Sequence, residues 1–155
     1  MAAGKNKIET GFTINFDDVG GTARDLTGDL VPGSIGPAGF AFDTADMTGV
    51  GNTVKNFYST WASSEISAQF HVNDTASTGS SVVFNGYTPA LINTGGTLTL
   101  AWGDAGAAPT TGDIEWEGEY IVSNATISFA SGTAVIDVTW QVQPGTTAPA
   151  WGTAS

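Results

Sequence analysis

The chain has 155 residues, 15 acidic and 4 basic (Lys5, Lys7, Arg24, Lys55), with no cysteine and a formal charge of -11. A chain of this length buries roughly 68–70% of the surface its unfolded form exposes, enough for one proper core, while the lack of cysteine excludes a disulfide scaffold, a thiolate zinc site, a Cys nucleophile and iron–sulfur chemistry. So few cations leave no electrostatic footprint for gripping phosphates, which excludes an ordinary DNA-binding protein.

Only 12% of residues are charged, whereas Thr reaches 22 copies and Gly 21. With leucine scarce and Thr, Val, Ile and aromatics abundant, the composition favours strands. No apolar run approaches the ~18 residues of a membrane span, and the opening Met-Ala-Ala-Gly-Lys-Asn-Lys lacks the apolar stretch of a signal peptide. The expected organisation is a single domain over 1–155, with an N-terminal arm at 1–7, an irregular C-terminal tail at 144–155 and no membrane segment.

Period-2 alternation bounded by turn residues marks the strands. Ile8, Thr10, Phe12, Ile14 and Phe16 share one face of the first, which ends at the turn-rich Asp17-Asp18-Val19-Gly20-Gly21. The breakers of Leu30 to Gly39 predict a loop. Asp46 to Ser59 reads as one long loop, of the kind that in a compact domain is functional or disordered. Ile66, Ala68, Phe70 and Val72 then oppose Glu65, Ser67, Gln69 and His71, and a short helix fits near Ser80 to Asn85 between Gly79 and Gly86. Leu98, Leu100 and Trp102 mark a further strand, and Asp104 to Gly112 a flexible connection. Ile114, Trp116 and Tyr120 follow, opposite Asp113, Glu115, Glu117 and Glu119 and running on into Ala125, Ile127 and Phe129. The last strand sets Ile136, Val138, Trp140 and Val142 against Asp137, Thr139, Gln141 and Gln143. One apolar face per strand predicts a mainly β fold, an antiparallel sandwich or barrel-like domain with one short helix and a long loop.

The most distinctive chemical feature is Asp113-Ile-Glu115-Trp-Glu117-Gly-Glu119. On a strand, carboxylates at this spacing line one face ~7 Å apart, a separation that also suits an inverting glycosidase or the start of an oxygen-ligand calcium site. Adjacent members repel by roughly 0.6 kcal/mol in water but about 2.4 kcal/mol at an effective dielectric of 20, so the row is cheap only when wet. With no partner element to desolvate one carboxyl, a solvated acidic face is the favoured reading over metal binding or catalysis. The sole histidine, His71, falls on a polar face, and no Gly-x-Ser-x-Gly accompanies it. Gly33-Ser-Ile-Gly36-Pro-Ala-Gly39 lacks the Lys-Ser/Thr ending of a phosphate loop. Trp116 and Trp140 belong to apolar faces, while Trp61, Trp102 and Trp151 are freer to meet a sugar or a protein partner. No enzyme emerges, and no cofactor is implied.

The order of segments carries more. Ile14-Asn-Phe16-Asp17-Asp18-Val-Gly20-Gly21-Thr22-Ala-Arg24-Asp25-Leu26-Thr27 resembles the opening of the tail tube (major tail) proteins of long non-contractile-tailed, siphovirus-type phages. Asp46-Met-Thr48-Gly-Val-Gly51-Asn52-Thr-Val-Lys55-Asn-Phe57-Tyr58 is similar to that family's central loop, Ile66 to Thr75 to the strand that follows, and Gly112 to Phe129 and Ala134 to Gly145 to the closing strands. The chain departs from the family at Ser59-Thr60-Trp61, where a Pro-Gly-Leu-like turn is usual.

The resemblance implies a virion structural protein, assembled in the host cytoplasm into sixfold rings whose joined inner sheets stack into a tube for genome delivery. Its expected partners are copies of itself and the tail terminator, tape measure and baseplate or distal tail proteins, with DNA passing unbound. Asp46, Thr48, Asn52, Lys55, Phe57 and Tyr58 are then the candidates for reaching a neighbouring subunit or ring. Asp113, Glu115, Glu117 and Glu119 are the candidates for lining the lumen. A virion decoration protein and a carbohydrate-binding module stand as alternatives.

Overall fold

The computed structural model describes residues 11–130, 132–143 and 145–155; the expected arm at 1–7, with Ile8 and Thr10, lies outside them. The strands are β1 (Phe12–Asp17), β2 (Ala23–Asp25), β3 (Ala41–Asp46), β4 (Phe57–Ser63), β5 (Glu65–His71), β6 (Gly95–Trp102), β7 (Ile114–Ala130), β8 (Thr133–Val142) and β9 (Ala150–Thr153). One helix, α1 (Ser80–Asn85), occupies the predicted place. The main sheet runs β2-β1-β6-β7-β8-β5, with β9 also on β7; β3 and β4 form a separate hairpin. Every pairing among the described strands is antiparallel.

Alternation fixes which face is buried. Phe12, Ile14 and Phe16, then Ile66, Ala68 and Phe70, Leu98 and Leu100, Trp116 and Tyr120, and Ile136, Val138 and Trp140 all enter one core. Phe16 of β1 and Trp140 of β8 stand with ring centroids 5.5 Å apart. Three strand steps across a flat sheet would separate them by roughly 14 Å, so the sheet curls on itself as a barrel does. Phe84 of α1 closes the curl, its ring 5.4 Å from Phe70 and 6.0 Å from Trp140. The helix is pinned rather than self-sustaining: the Ser80 amide donates to Asp29 (3.1 Å), and the Ser80 and Ser81 hydroxyls donate to the carbonyls of His71 and Asn73 (both 2.6 Å). Those bonds hold a six-residue helix that propensity alone leaves marginal.

β7 is long because it serves different partners along its length. Gly95–Trp102 pairs with Ile114–Ile121, whereas Tyr120–Ala130 pairs with β8 on the other edge. The register slips between Val122 and Asn124, a bulge that changes side-chain parity. That slip explains why even-numbered Trp116 and Tyr120 and odd-numbered Ala125 and Ile127 share a face.

Several expectations need correction. Asp46 to Ser59 is not one loop: Asp46 ends β3, Phe57, Tyr58 and Ser59 begin β4, and the connection spans 47–56. The tail at 144–155 contains β9, which pairs Ala150–Thr153 with Ile114–Glu117. Ile114, Ile127 and Phe129 lie on strands but are exposed, Phe129 at 85%, because they stand towards the ends of β7, where among the described residues no element buries them. No helix among the described residues is long and apolar enough to cross a membrane.

Candidate functional site

Two surfaces carry the residues singled out by sequence. The first is the outer face of β7. Glu115, Glu117 and Glu119 alternate with core-facing Trp116, Gly118 and Tyr120 and stand opposite Ala101, Thr99 and Thr97 of β6. The Thr97 hydroxyl donates to Glu119 at 2.6 Å and that of Thr99 to Glu117 at 3.2 Å. Partial burial raises the pKa of Glu115, and the charge of Glu117 raises it further. Asp113 is different. It precedes β7, and its carboxylate accepts the Thr110 amide (2.7 Å) and hydroxyl (3.1 Å), which ties it into the turn and leaves a row of three.

Gly145 to Thr153 borders this row and leaves a groove of about 680 Å³ beside it. Pro149 fits against Gly118, where a Cβ would come within 2.5 Å of its ring. Trp151 continues the inner face, 4.8 Å from Trp116 and 5.8 Å from Trp102. Trp102 also lies 5.4 Å from Phe12, so it belongs to a packed aromatic group rather than an open stacking platform. Beneath them, the Trp116 indole donates to the Tyr120 hydroxyl (2.8 Å), which is 2.7 Å from the hydroxyl of buried Ser64. Among the described residues no three imidazole or carboxylate groups gather closely enough to hold a metal ion. His71 is exposed at the end of β5.

The second surface is the β3–β4 hairpin. Asp46, Thr48, Asn52, Lys55, Phe57 and Tyr58 all fall on it or its connection, and all are exposed. The connection is ordered by local bonds: Asp46 accepts both the hydroxyl and the amide of Thr48, the Thr48 hydroxyl accepts the Asn56 amide at 3.0 Å, and Met47 donates to the Asn56 carbonyl at 2.8 Å. The Thr48 bonds hold the Asp46 carboxyl below its ordinary pKa. Gly51, at φ +89°, supplies a left-handed residue in the turn.

No residue of β4 is buried, although the strand carries Phe57, Tyr58 and Trp61, the last 77% exposed. Phe42, Met47, Val50 and Val54 add to the same exposed apolar area, and sequence reasoning passed over them. The available signal was bulky apolar residues, Phe42, Phe57, Tyr58 and Trp61, in a stretch without period-2 alternation. At the hairpin's base, Phe40 sets its ring edge-on to Trp116 at 5.4 Å, which anchors the projection to the core.

A scan of family models found no match, and no curated protein matched in sequence. The fold is shared with solved structures. A chain of the anti-feeding prophage (AFP) baseplate aligns over 98% of this chain and 96% of its own, with a TM-score of 0.64 and 7% identity. A chain from the tail of an empty GTA particle with C6 symmetry aligns over 98% and 100%, with a TM-score of 0.55 and 15% identity. One from the sheath-tube complex of the extracellular contractile injection system PVC aligns over 94% and 90%, with a TM-score of 0.53 and 18% identity.

Proposed function

We propose that the chain is a structural subunit of a phage-type tail, one that assembles into rings stacked as a tube. The observation that carries this reading is the β3–β4 hairpin, a projection whose aromatic and aliphatic side chains stay exposed among the described residues. Exposed apolar surface of that kind marks a protein–protein contact. Asp46, Thr48, Asn52, Lys55, Phe57 and Tyr58 are assigned to contact with a neighbouring subunit or ring. The shared fold supports the reading, since similar chains covering nearly the same length occur in a tail and in a sheath-tube complex. The sixfold symmetry stated for the baseplate and the GTA tail makes six the ring number of choice.

Glu115, Glu117 and Glu119 are assigned to the lumen, with Asp113 at the margin of that face. Glu117 is exposed and Glu115 and Glu119 are half-buried, the Thr97 and Thr99 hydroxyls donate to Glu119 and Glu117, and among the described residues none of the three pairs with a cation. Such a wall repels DNA only within a Debye length, ~8 Å at physiological salt, so it prevents sticking without a long-range barrier. Tail terminator, tape measure and distal tail proteins are the partners this role requires. Electron microscopy of the purified protein tests it: stacked rings are expected, and monomers persisting at high concentration overturn it. Glu117→Lys with Glu119→Lys tests the lumen assignment separately. Slower genome release with a stronger salt response is expected, and unchanged release removes the assignment.

A further inference from the structure

Between β5 and β6 the chain leaves the sheet over 72–94, the segment that carries α1. The Val72 amide still donates to the Ala134 carbonyl at 3.2 Å. Beyond it, every hydrogen bond from this segment to another element among the described residues involves a side chain. Asp29 makes two of them, its carboxylate oxygens accepting the Asn73 side-chain amide (2.8 Å) and the Ser80 main-chain amide (3.1 Å). The Ser80 hydroxyl donates to the His71 carbonyl, the Tyr87 hydroxyl to the Asp17 carbonyl (2.6 Å) and the Gln143 side chain to the Asn93 carbonyl (3.3 Å). The segment can therefore leave without breaking a strand pairing.

Its closed position carries two costs. Ser77 (φ +67°) and Asn93 (φ +64°) are the non-glycine residues with left-handed backbone among those described, and they stand on this segment, one on each side of α1. Asparagine tolerates that conformation better than serine, so strain is held at Ser77. The second cost lies in the core. The Trp140 indole N–H is fully buried and has no hydrogen-bond partner among the described residues. A buried donor left unpaired forfeits its hydration and regains it only when water arrives.

Three phenylalanine rings pack on that indole: Phe16 of β1 at 5.5 Å, Phe70 of β5 at 6.0 Å and Phe84 of α1 at 6.0 Å. Two are carried by the sheet. Phe84 is carried by a six-residue helix, so withdrawal of α1 is the route that wets Trp140 while the sheet stays paired. Burial of Val83 and Phe84 opposes withdrawal, and the two bonds to Asp29 oppose it at the start of the helix. Few apolar anchors, side-chain ties and stored strain are the marks of a unit that opens ahead of global unfolding.

We infer that 73–94 is a latched lid on the curled sheet: α1 and its flanking loops open as a unit while the strands remain paired, and the Asp29 carboxylate is the latch. Opening relaxes Ser77, hydrates the Trp140 indole and bares Phe16 and Phe70. The lid is a property of the single subunit and stands apart from the assembly reading.

The chain has no cysteine, so one introduced thiol at a buried position reports opening to an aromatic disulfide reagent. Val83→Cys places it on the lid and Val138→Cys on β8. Without denaturant, Val83→Cys is expected to react about a hundredfold or more faster than Val138→Cys, and with a weaker dependence on urea because less surface is exposed. Adding Asp29→Ala should speed the lid thiol about tenfold or more and leave the β8 thiol within about twofold, with Asp29→Asn, which keeps an acceptor oxygen, in between. Should Val83→Cys fail to fold, hydrogen exchange in the unaltered and Asp29→Ala proteins, comparing the amides of Val82 to Gly86 with those of Ile136 to Trp140, makes the same test. Equal rates with equal urea dependence overturn the lid. Asp29→Ala speeding both sites alike, or neither, overturns the latch.

Discussion

β4 and β5 have equal length and are separated by a single residue, yet they have opposite fates. In β5 Ile66, Ala68 and Phe70 are buried, while the aromatic-rich β4 buries nothing. Between them Ser64 is buried and bonded to Tyr120, so the change occurs at one fixed point and not through gradual fraying. The difference teaches that alternation reports burial inside the subunit only. A strand whose apolar side chains lie on both faces, with no charge among them, shows no such period, and its exposure is what the proposed contact with a neighbouring copy would cover.

The sharpest way to break this comparison is to truncate an aromatic on each side of Ser64. Phe70→Ala should cost about 3–5 kcal/mol in urea unfolding of the monomer, whereas Trp61→Ala should stay within about 0.5 kcal/mol and weaken assembly instead. Equal destabilisation by the two would erase the distinction. Next in size is Gly118→Ala. The new methyl would enter the space of Pro149, so about 1–3 kcal/mol should be lost and the fluorescence of Trp116 and Trp151 should change as β9 shifts. Tyr120→Phe sharpens the role of the junction: it leaves the Trp116 indole and the Ser64 hydroxyl without their bridging oxygen, for about 1–2 kcal/mol by the same unfolding measurement.

The smallest effect concerns charge. Because the Glu115 pKa is raised in the folded chain, the native state holds that proton more firmly than the unfolded state does. The associated stabilisation is complete below the ordinary value of 4.5 and is lost as pH rises through the folded value. Glu115→Gln should therefore raise stability slightly at neutral pH, by less than about 0.5 kcal/mol, and flatten the stability profile above pH 4.5. A loss of stability at neutral pH would show that the carboxylate is held by a favourable contact.

Sequence made the core legible wherever a strand buries one face. Phe12, Ile14 and Phe16, the β5 triplet, Trp116 and Trp140 could all be placed by period alone, and even the helix at Ser80 fell where the glycines leave room. It failed where that signal disappears. β3 and β4 have no buried face to create a period, and β9 is too short to display one. The acidic row was legible as a spacing, but the turn that captures Asp113 was not, because it depends on Thr110 folding back onto the strand's entrance. The extent of the β6–β7 pairing was invisible for another reason: it follows from where β6 begins relative to Ile121, a register that no local pattern encodes.

The curl that brings Phe16 against Trp140 also sets an order of events during synthesis. β1 pairs early with β2 but gains its second partner strand only when β6 has been made, and β5 pairs with β8 only when that last long strand is available, so the core cannot close until nearly the whole chain is made. The β3–β4 hairpin depends on neighbours a few residues away and can form much earlier. The element assigned to join subunits is thus ready before the subunit that carries it. A nascent chain displays its uncharged strand β4 throughout that interval, when crowding on a polysome brings identical copies together, and the late closure of the sheet makes slow translation a hazard rather than a help.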